Sequence, residues 1–90
     1  MNDQDPPKIT FPCADYPIKV MGEAGAELYA QVLAIMDKHT PDFEASKITV
    51  RDSRNGRFQS ITVLITATGE SQLRTIFEEL MILPVVKMVL

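Results

Sequence analysis

The stretch "SRNGRFQSITVLIT", residues 53–66, decides the fold because a turn signal leads directly into a strand signal. Asn55-Gly56 is the strongest short-range signal for a β-hairpin. The residues that follow, "FQSITVLITAT" (58–68), are rich in β-branched side chains and alternate along the chain. The preceding "SKITVRD" (46–52) alternates as well, so we predict two strands paired through this turn.

Two amphipathic segments flank the hairpin. "AELYAQVLAIMDKH" (26–39) has an apolar stripe at helical spacing and is followed by Thr40-Pro41, where a helix must stop. "GESQLRTIFEELMI" (69–82) carries a second stripe, and Thr68 is its expected N-cap. We therefore predict two helices, each with a single apolar face.

Short strands are predicted at both ends of the folded region, over "YPIKVMG" (16–22) and "VVKMVL" (85–90). The resulting order is β-α-β-β-α-β. In so small a sheet both helices should pack on one face, which favours an α+β ferredoxin-like sandwich with a four-stranded antiparallel sheet. The first and third strands should be central. Residues 1–10 are expected to form a flexible tail and residues 11–90 a single domain.

Strand alternation predicts which side chains face the helices and which form an open sheet face. The inward set is Ile18, Val20, Ile48, Val50, Ile61, Val63, Ile65, Val86, Met88 and Leu90. The outward set is Lys19, Met21, Thr49, Arg51, Phe58, Ser60, Thr62, Leu64, Val85, Lys87 and Val89. An open face with this many apolar side chains is expected to be covered from solvent by another segment or another molecule. Either the N-terminal segment supplies this cover through Phe11 and Tyr16, or a second subunit or another protein docks there.

Composition excludes several classes of protein. The chain has 90 residues, 46% of them hydrophobic, which is too apolar for disorder and enough for one core. The formal net charge of −3 disfavours non-specific nucleic-acid binding. A single cysteine permits no internal disulfide, and no apolar run approaches the ~20 residues that cross a bilayer. A cytoplasmic protein without membrane contact is expected.

No catalytic constellation is visible, so we expect neither enzyme activity, nor a metal site, nor a cofactor. His39 and Cys13 are the only residues of their kinds. His39 suits the negative end of the first helix, and Glu78-Glu79 are expected on the solvated face of the second. Gly22 and Gly25, between a strand and a helix, could admit an anion to backbone amides, or simply form a tight turn.

The open face also raises the question of RNA binding. Phe58 stands beside a basic residue at the head of the third strand, as in some RNA-binding sheets. Such sheets stack two or three bases on aromatic rings, whereas this strand has Ser60 two residues later and the first strand offers Lys19 and Met21. RNA binding is therefore kept as the alternative to a protein contact.

The chain resembles the YbeD-like family of small bacterial proteins. The matching stretches are "FPCADYPIKVMG" (11–22), "HTPDF" (39–43), "SRNGRFQSITVLITATGESQL" (53–73), "IFEEL" (76–80) and "VKMVL" (86–90). The resemblance implies a ferredoxin-like fold similar to ACT domains, which bind amino acids or other small effectors at subunit interfaces and regulate enzymes. It places a small-molecule effector near the first strand-to-helix turn, at Gly22 and Gly25, although the Asp-x-Pro-Gly type of turn is missing here. It also suggests a link to lipoate metabolism, because genes of the family often lie beside lipoate-attachment genes.

Together these observations predict a non-enzymatic regulatory or protein-interaction module that contacts a partner protein or a second copy of itself. The residues expected at the contact are Lys19, Met21, Arg51, Phe58, Leu64 and Lys87.

Overall fold

The fold is given by a computed structural model that describes residues 10–41 and 43–90. The strands are β1 (Cys13–Glu23), β2 (Ile48–Asp52), β3 (Phe58–Ala67) and β4 (Val86–Val89). The helices are α1 (Ala26–His39) and α2 (Glu70–Met81), and one 3₁₀ turn (Ala45–Lys47) precedes β2. The predicted order of elements is confirmed. The predicted tail, residues 1–10, lies outside the described residues except for Thr10.

All four strands form one antiparallel sheet in the order β2-β3-β1-β4. The first and third strands are central, as predicted. Ile18 pairs with Val63 and Val20 pairs with Ile61, so these side chains share the face that packs on the helices. Residues of both helices join them in a single core: Ile18, Val20, Leu28, Val32, Ile35, Met36, Ile61, Val63, Ile65, Ile76, Leu80, Val86 and Val89. Both helices therefore cover the same side of the sheet, and within residues 10–41 and 43–90 no helix covers the other side.

β1 begins earlier than predicted because it contains an irregularity near its start. Its pairing with β3 shifts register between Cys13 and Tyr16, and Asp15 takes a positive φ of 54°. The Asp15 carboxylate accepts a 2.6 Å hydrogen bond from Nζ of Lys47 and raises the pKa of that ammonium group. Tyr16 pairs with buried Ile65 and packs against the core. Of the two residues named for cover by the N-terminal segment, Phe11 and Tyr16, Tyr16 therefore faces the helix side instead.

Some side chains of the last strand, β4, lie on the opposite face of the sheet from the one predicted. Gly22 pairs with Val86 but Met21 pairs with Met88, so β4 holds one extra residue, Lys87, at this point. Beyond it the alternation reverses: Val89 is buried, and Met88 is 47% exposed on the open side. The predicted inward position of Met88 and the outward position of Val89 are wrong for this reason. Leu90 is 65% exposed and lines a small depression with Ile18 and Ile76 on the helix side. Val85 was predicted to face outward, but it lies half-buried against the core.

The edge strand β2 limits how far the core extends. Val50 pairs with buried Ile61 and so has the predicted facing, but it is 43% exposed. Its exposure follows from the position of β2 at one edge of the sheet, with β4 at the opposite edge. Ile48, on the same strand, is only partly buried.

The helix ends follow the sequence closely, with one exception. Thr40 ends α1: its N–H and its hydroxyl both donate to the carbonyl of Met36, at 2.6 and 2.7 Å. The N-cap of α2 is Gly69 and not Thr68. The side chain of Gln72 accepts a 2.8 Å hydrogen bond from the N–H of Thr68. This bond fixes the entry into α2 in place of a capping hydroxyl.

Candidate functional site

The open face consists of the strand side chains that point away from the two helices. Strand pairing places one row across all four strands: Arg51 opposite Ser60, Ser60 opposite Met21, and Met21 opposite Met88. A second row runs from Thr49 through Thr62 to Lys19. The first row is apolar where it crosses β1 and β4, and Met88 at its end is half exposed. Alternating polarity thus gives a sheet surface with an apolar strip and cations beside it.

Two shallow depressions meet at Phe58, which is 38% exposed and forms part of the wall of both. One has a volume of about 230 Å³ and is lined by Lys19, Met21, Arg51, Asp52, Ser53, Phe58, Gln59 and Ser60. The other, of about 450 Å³, is lined by Glu23, Ala24, Arg57, Phe58 and Lys87. Phe58 therefore lies at the centre of a continuous concave surface at one end of the sheet.

Five of the six residues predicted for the contact come together around this ring. Lys19, Met21 and Arg51 line one depression with Phe58, and Lys87 lines the other. Leu64 does not join them. It lies toward the opposite end of β3, beside Asp15 and Lys47.

The predicted contact set lacks Arg57, which lines this concave surface, and Met88, which lies on the open face. Arg57 belongs to the turn and not to a strand, so alternation says nothing about it. Alternation predicts Met88 on the inner face, because the extra residue in β4 leaves no mark in an apolar run. The spacing of Arg51, Arg54 and Arg57 along one hairpin is the signal that points to a basic cluster here.

We call the four cations Lys19, Arg51, Arg57 and Lys87, with the ring of Phe58 between them, the basic cradle. Lys87 forms an ion pair with Glu23, with 3.2 Å between Nζ and Oε2. For the other three cations, no carboxylate within residues 10–41 and 43–90 lies inside 4.0 Å. Asp52, the remaining carboxylate nearby, accepts a 2.8 Å hydrogen bond from Nε2 of Gln59. The cradle therefore carries an excess of positive charge.

The turn between β2 and β3 is held by its own hydrogen bonds. Oδ1 of Asn55 accepts from the N–H of Arg57 at 3.0 Å and from the hydroxyl of Ser53 at 3.1 Å. Oγ of Ser53 in turn accepts from the N–H of Phe58 at 3.0 Å. Gly56 has the positive φ, 73°, that closes the loop. Since Arg57 and Phe58 are both tied to this network, the backbone of the cradle is fixed in advance of any contact.

Gly22 and Gly25, the two glycines predicted to lie near a bound effector, have different surroundings in the structure. A Cβ on Gly22 would overlap the carbonyl oxygen of Val85 and lie 2.8 Å from Cδ1 of Leu28. Gly22 is thus required by packing between β1, β4 and α1. Gly25 is exposed, has a φ of 146°, and its N–H lies 3.4 Å from Oε1 of Gln59.

A second concave region lies at the other end of the helix layer. It has a volume of about 160 Å³ and is lined by His39, Thr40, Pro41, Phe43, Thr66, Thr68 and Gln72. His39 does more here than stabilise the end of its helix, since Nε2 lies 2.8 Å from Oε2 of Glu79 on α2. The hydrogen bond from the His39 ring holds the pKa of Glu79 below its ordinary value. The expectation that Glu79 lies on a purely solvated face is wrong.

Residues 10–41 and 43–90 contain neither a cluster of metal-ligating side chains nor a helix that could span a membrane. Within these ranges, His, Cys, Asp and Glu side chains nowhere cluster in threes or more in a way that could hold a metal ion. No helix in the same ranges has both the length and the apolar character needed to cross a bilayer.

Comparison with known proteins places the chain in a family. Residues 6–90 match the family described as "Protein of unknown function (DUF493)". The chain belongs to the DUF493 family. It is 51% identical over 79 residues to a UPF0250 protein of Ectopseudomonas mendocina, covering 88% of this chain and 86% of that one. It is 38% identical over 90 residues to a UPF0250 protein of Chromobacterium violaceum, covering both chains completely. The predicted YbeD-like family is confirmed.

Solved structures show that this DUF493 chain has an ACT-like fold. Protein HP0495 from H. pylori has a TM-score of 0.75 at 20% identity and covers 98% of this chain and 91% of its own. The ACT domain from GTP pyrophosphokinase of Chlorobium tepidum has a TM-score of 0.64 at 19% identity, covering 82% of this chain and 91% of that domain. These likenesses confirm the ferredoxin-like architecture.

Proposed function

We propose that this DUF493 protein is a small, non-catalytic regulatory module that acts by protein contact through its open face. The observation that carries the proposal is the row from Arg51 through Ser60 and Met21 to Met88, which crosses the whole sheet on the side away from the helices. Apolar strips on a sheet face are commonly covered by a partner or a second subunit. Tyr16 packs on the helix side and so does not supply this cover.

A pair of methionine substitutions tests the proposal. Met88 on the open face and Met81 on α2 are both 47% exposed, so Met88→Lys and Met81→Lys introduce the same charge at equally accessible sites on different layers. We expect Met88→Lys to abolish self-association in light scattering, or capture of a specific partner from a bacterial lysate, while Met81→Lys preserves it. A monomer that captures nothing, or two variants that behave alike, would contradict the proposal.

The finer part of the proposal is control by a small effector at the turn between β1 and α1, in a pathway linked to lipoate. The N–H of Gly25 is exposed and its 3.4 Å contact with Gln59 is long for a hydrogen bond, so a ligand acceptor could replace it. Thermal-shift measurements with the individual amino acids and with lipoate test this point. Stabilisation by one compound, lost in Gln59→Ala or Gly25→Ala but kept in Gly69→Ser, is the expected result.

RNA binding is the second candidate function. It is favoured by one observation, the position of Phe58 between Lys19, Arg51 and Arg57. Phe58→Ala should then weaken binding of a single-stranded oligouridylate, whereas Phe77→Ala, which removes a ring of similar exposure on α2, should not. Oligouridylate affinity that is unchanged in Phe58→Ala removes this candidate.

A further inference from the structure

Charge is divided between the two layers of the molecule. Helices α1 and α2 together carry five carboxylates, Glu27, Asp37, Glu70, Glu78 and Glu79, against two permanent cations, Lys38 and Arg74. The basic cradle has four cations with only Glu23 and Asp52 among its lining carboxylates. The acidic net charge of the chain therefore conceals a local positive surface at one end of the open face.

We propose that the basic cradle is the docking site for an acidic, carboxylate-bearing segment of a partner protein. This inference rests on the proposed function and adds the chemistry of the partner. Arg51 and Arg57 have forked guanidinium groups that suit carboxylates, and neither has a carboxylate partner within 4.0 Å in the described residues. Charge complementarity thus selects an acidic occupant.

The side chains that line the cradle indicate that the acidic segment also carries an apolar residue. Phe58 and Met21 line the same depression as Lys19 and Arg51, so an apolar side chain placed among the acidic residues would cover exposed apolar area on binding. The side chains of Asn55 and Ser53 accept hydrogen bonds from the backbone N–H groups of Arg57 and Phe58, so the backbone entropy lost when the segment docks is smaller.

A short acidic segment fits this surface better than a nucleic acid does. Only one ring is present in the cradle, whereas single-stranded RNA is held by several stacking platforms along a basic track. A long polyanion needs cations along an extended track, while a short segment needs only the local cations of the cradle. RNA is therefore the competing outcome of the test.

The test compares an oligoglutamate peptide with an oligouridylate of the same length, each titrated into the isotopically labelled protein and followed by NMR. We expect the peptide to shift the amide signals of Lys19, Arg51, Arg57 and Phe58, with binding that weakens as salt is raised. Arg51→Glu and Arg57→Glu should each weaken it by about three- to tenfold. Arg74→Glu on α2 has the same change in charge and should leave it unaltered.

Each other outcome overturns the inference. Tighter binding of the oligouridylate at the same residues assigns the cradle to nucleic acid. Shifts elsewhere, equal effects of Arg51→Glu and Arg74→Glu, or no binding of the peptide at low salt show that the cradle does not accept acidic segments. If Met88→Lys still abolishes protein contact in that case, the open face is an interaction surface and only the chemistry of the partner is refuted.

Discussion

Nε2 of His39 lies 2.8 Å from Oε2 of Glu79 and joins the last turn of α1 to α2 across 40 residues of sequence. Nζ of Lys38 contacts the same carboxylate at 3.4 Å. Glu79 retains 28% exposure of its side chain, so the cluster lies at the rim of the helix layer, where solvent screens it in part.

The first prediction concerns stability against pH. The pKa of Glu79 is lowered chiefly by the hydrogen bond from His39, and further by the positive charges of His39 and Lys38, while desolvation opposes the shift. Because the folded-state pKa lies below the ordinary value of 4.5, this carboxylate stabilises the fold above that pH. The contribution is lost as the pH falls through the folded-state pKa.

Glu79→Gln should therefore lower the free energy of unfolding near neutral pH, and the difference from wild type should shrink well below pH 4.5. Urea unfolding at several pH values measures it. Glu78→Gln, on the neighbouring exposed residue, is the control and should show no such trend. A Glu79→Gln deficit that grows at low pH would contradict the assignment.

The second prediction concerns the contact between β1 and β4. Gly22→Ala should destabilise the protein by about 1–3 kcal/mol because the added methyl overlaps the Val85 carbonyl and Leu28. Gly69→Ser is the control, since a Cβ there meets no atom within 4 Å and serine is at least as good an N-cap as glycine. Thermal unfolding of both variants decides the point; equal stabilities would show that the backbone at Gly22 is less crowded than described.

The third prediction compares two residues that face the helix side of the sheet but differ in how far they are buried. Ile61 and Val50 are paired across β2 and β3, yet Ile61 is fully buried and Val50 is nearly half exposed. Ile61→Ala should cost about 2–5 kcal/mol and Val50→Ala less than about 1 kcal/mol. Chemical denaturation of the two variants measures the difference. Costs of similar size would mean that β2 is covered in solution.

The fourth prediction concerns the turn that carries the cradle. Asn55→Ala removes the acceptor used by Ser53 and Arg57, and should lower the free energy of unfolding by about 1 kcal/mol. Asn55→Asp keeps an acceptor oxygen and should restore most of that loss. Equilibrium unfolding of both variants is the measurement. If Asn55→Asp is as unstable as Asn55→Ala, the turn does not depend on this oxygen.

The helices and the hairpin strands could be read from the sequence because each has an unambiguous period. The stripe over 26–39 and the alternation over 58–67 leave little choice of structure. The last strand gave no such guidance. "VVKMVL" is apolar at both odd and even positions, so the extra residue at Lys87, which reverses the facing of Met88 and Val89, has no local signature.

Those residues of the candidate site that lie on strands could be predicted from the sequence. Lys19, Met21, Arg51 and Phe58 follow from alternation, and the structure brings them together. Arg57 belongs to a turn and was missed. The contact of His39 with Glu79 depends on how two helices pack, and no periodicity within either helix encodes it.

Occupancy of the open face in the cell is the central claim, and methionine oxidation measures it directly. Met88 and Met81 are equally exposed in the isolated chain, at 47%, so dilute purified protein should lose the two thioethers to peroxide at similar rates. In intact cells that express the protein at its native level, we expect Met88 to oxidise several-fold more slowly than Met81, because a partner or second copy covers it. A ratio of the two rates that is the same in cells as in dilute solution would contradict the account.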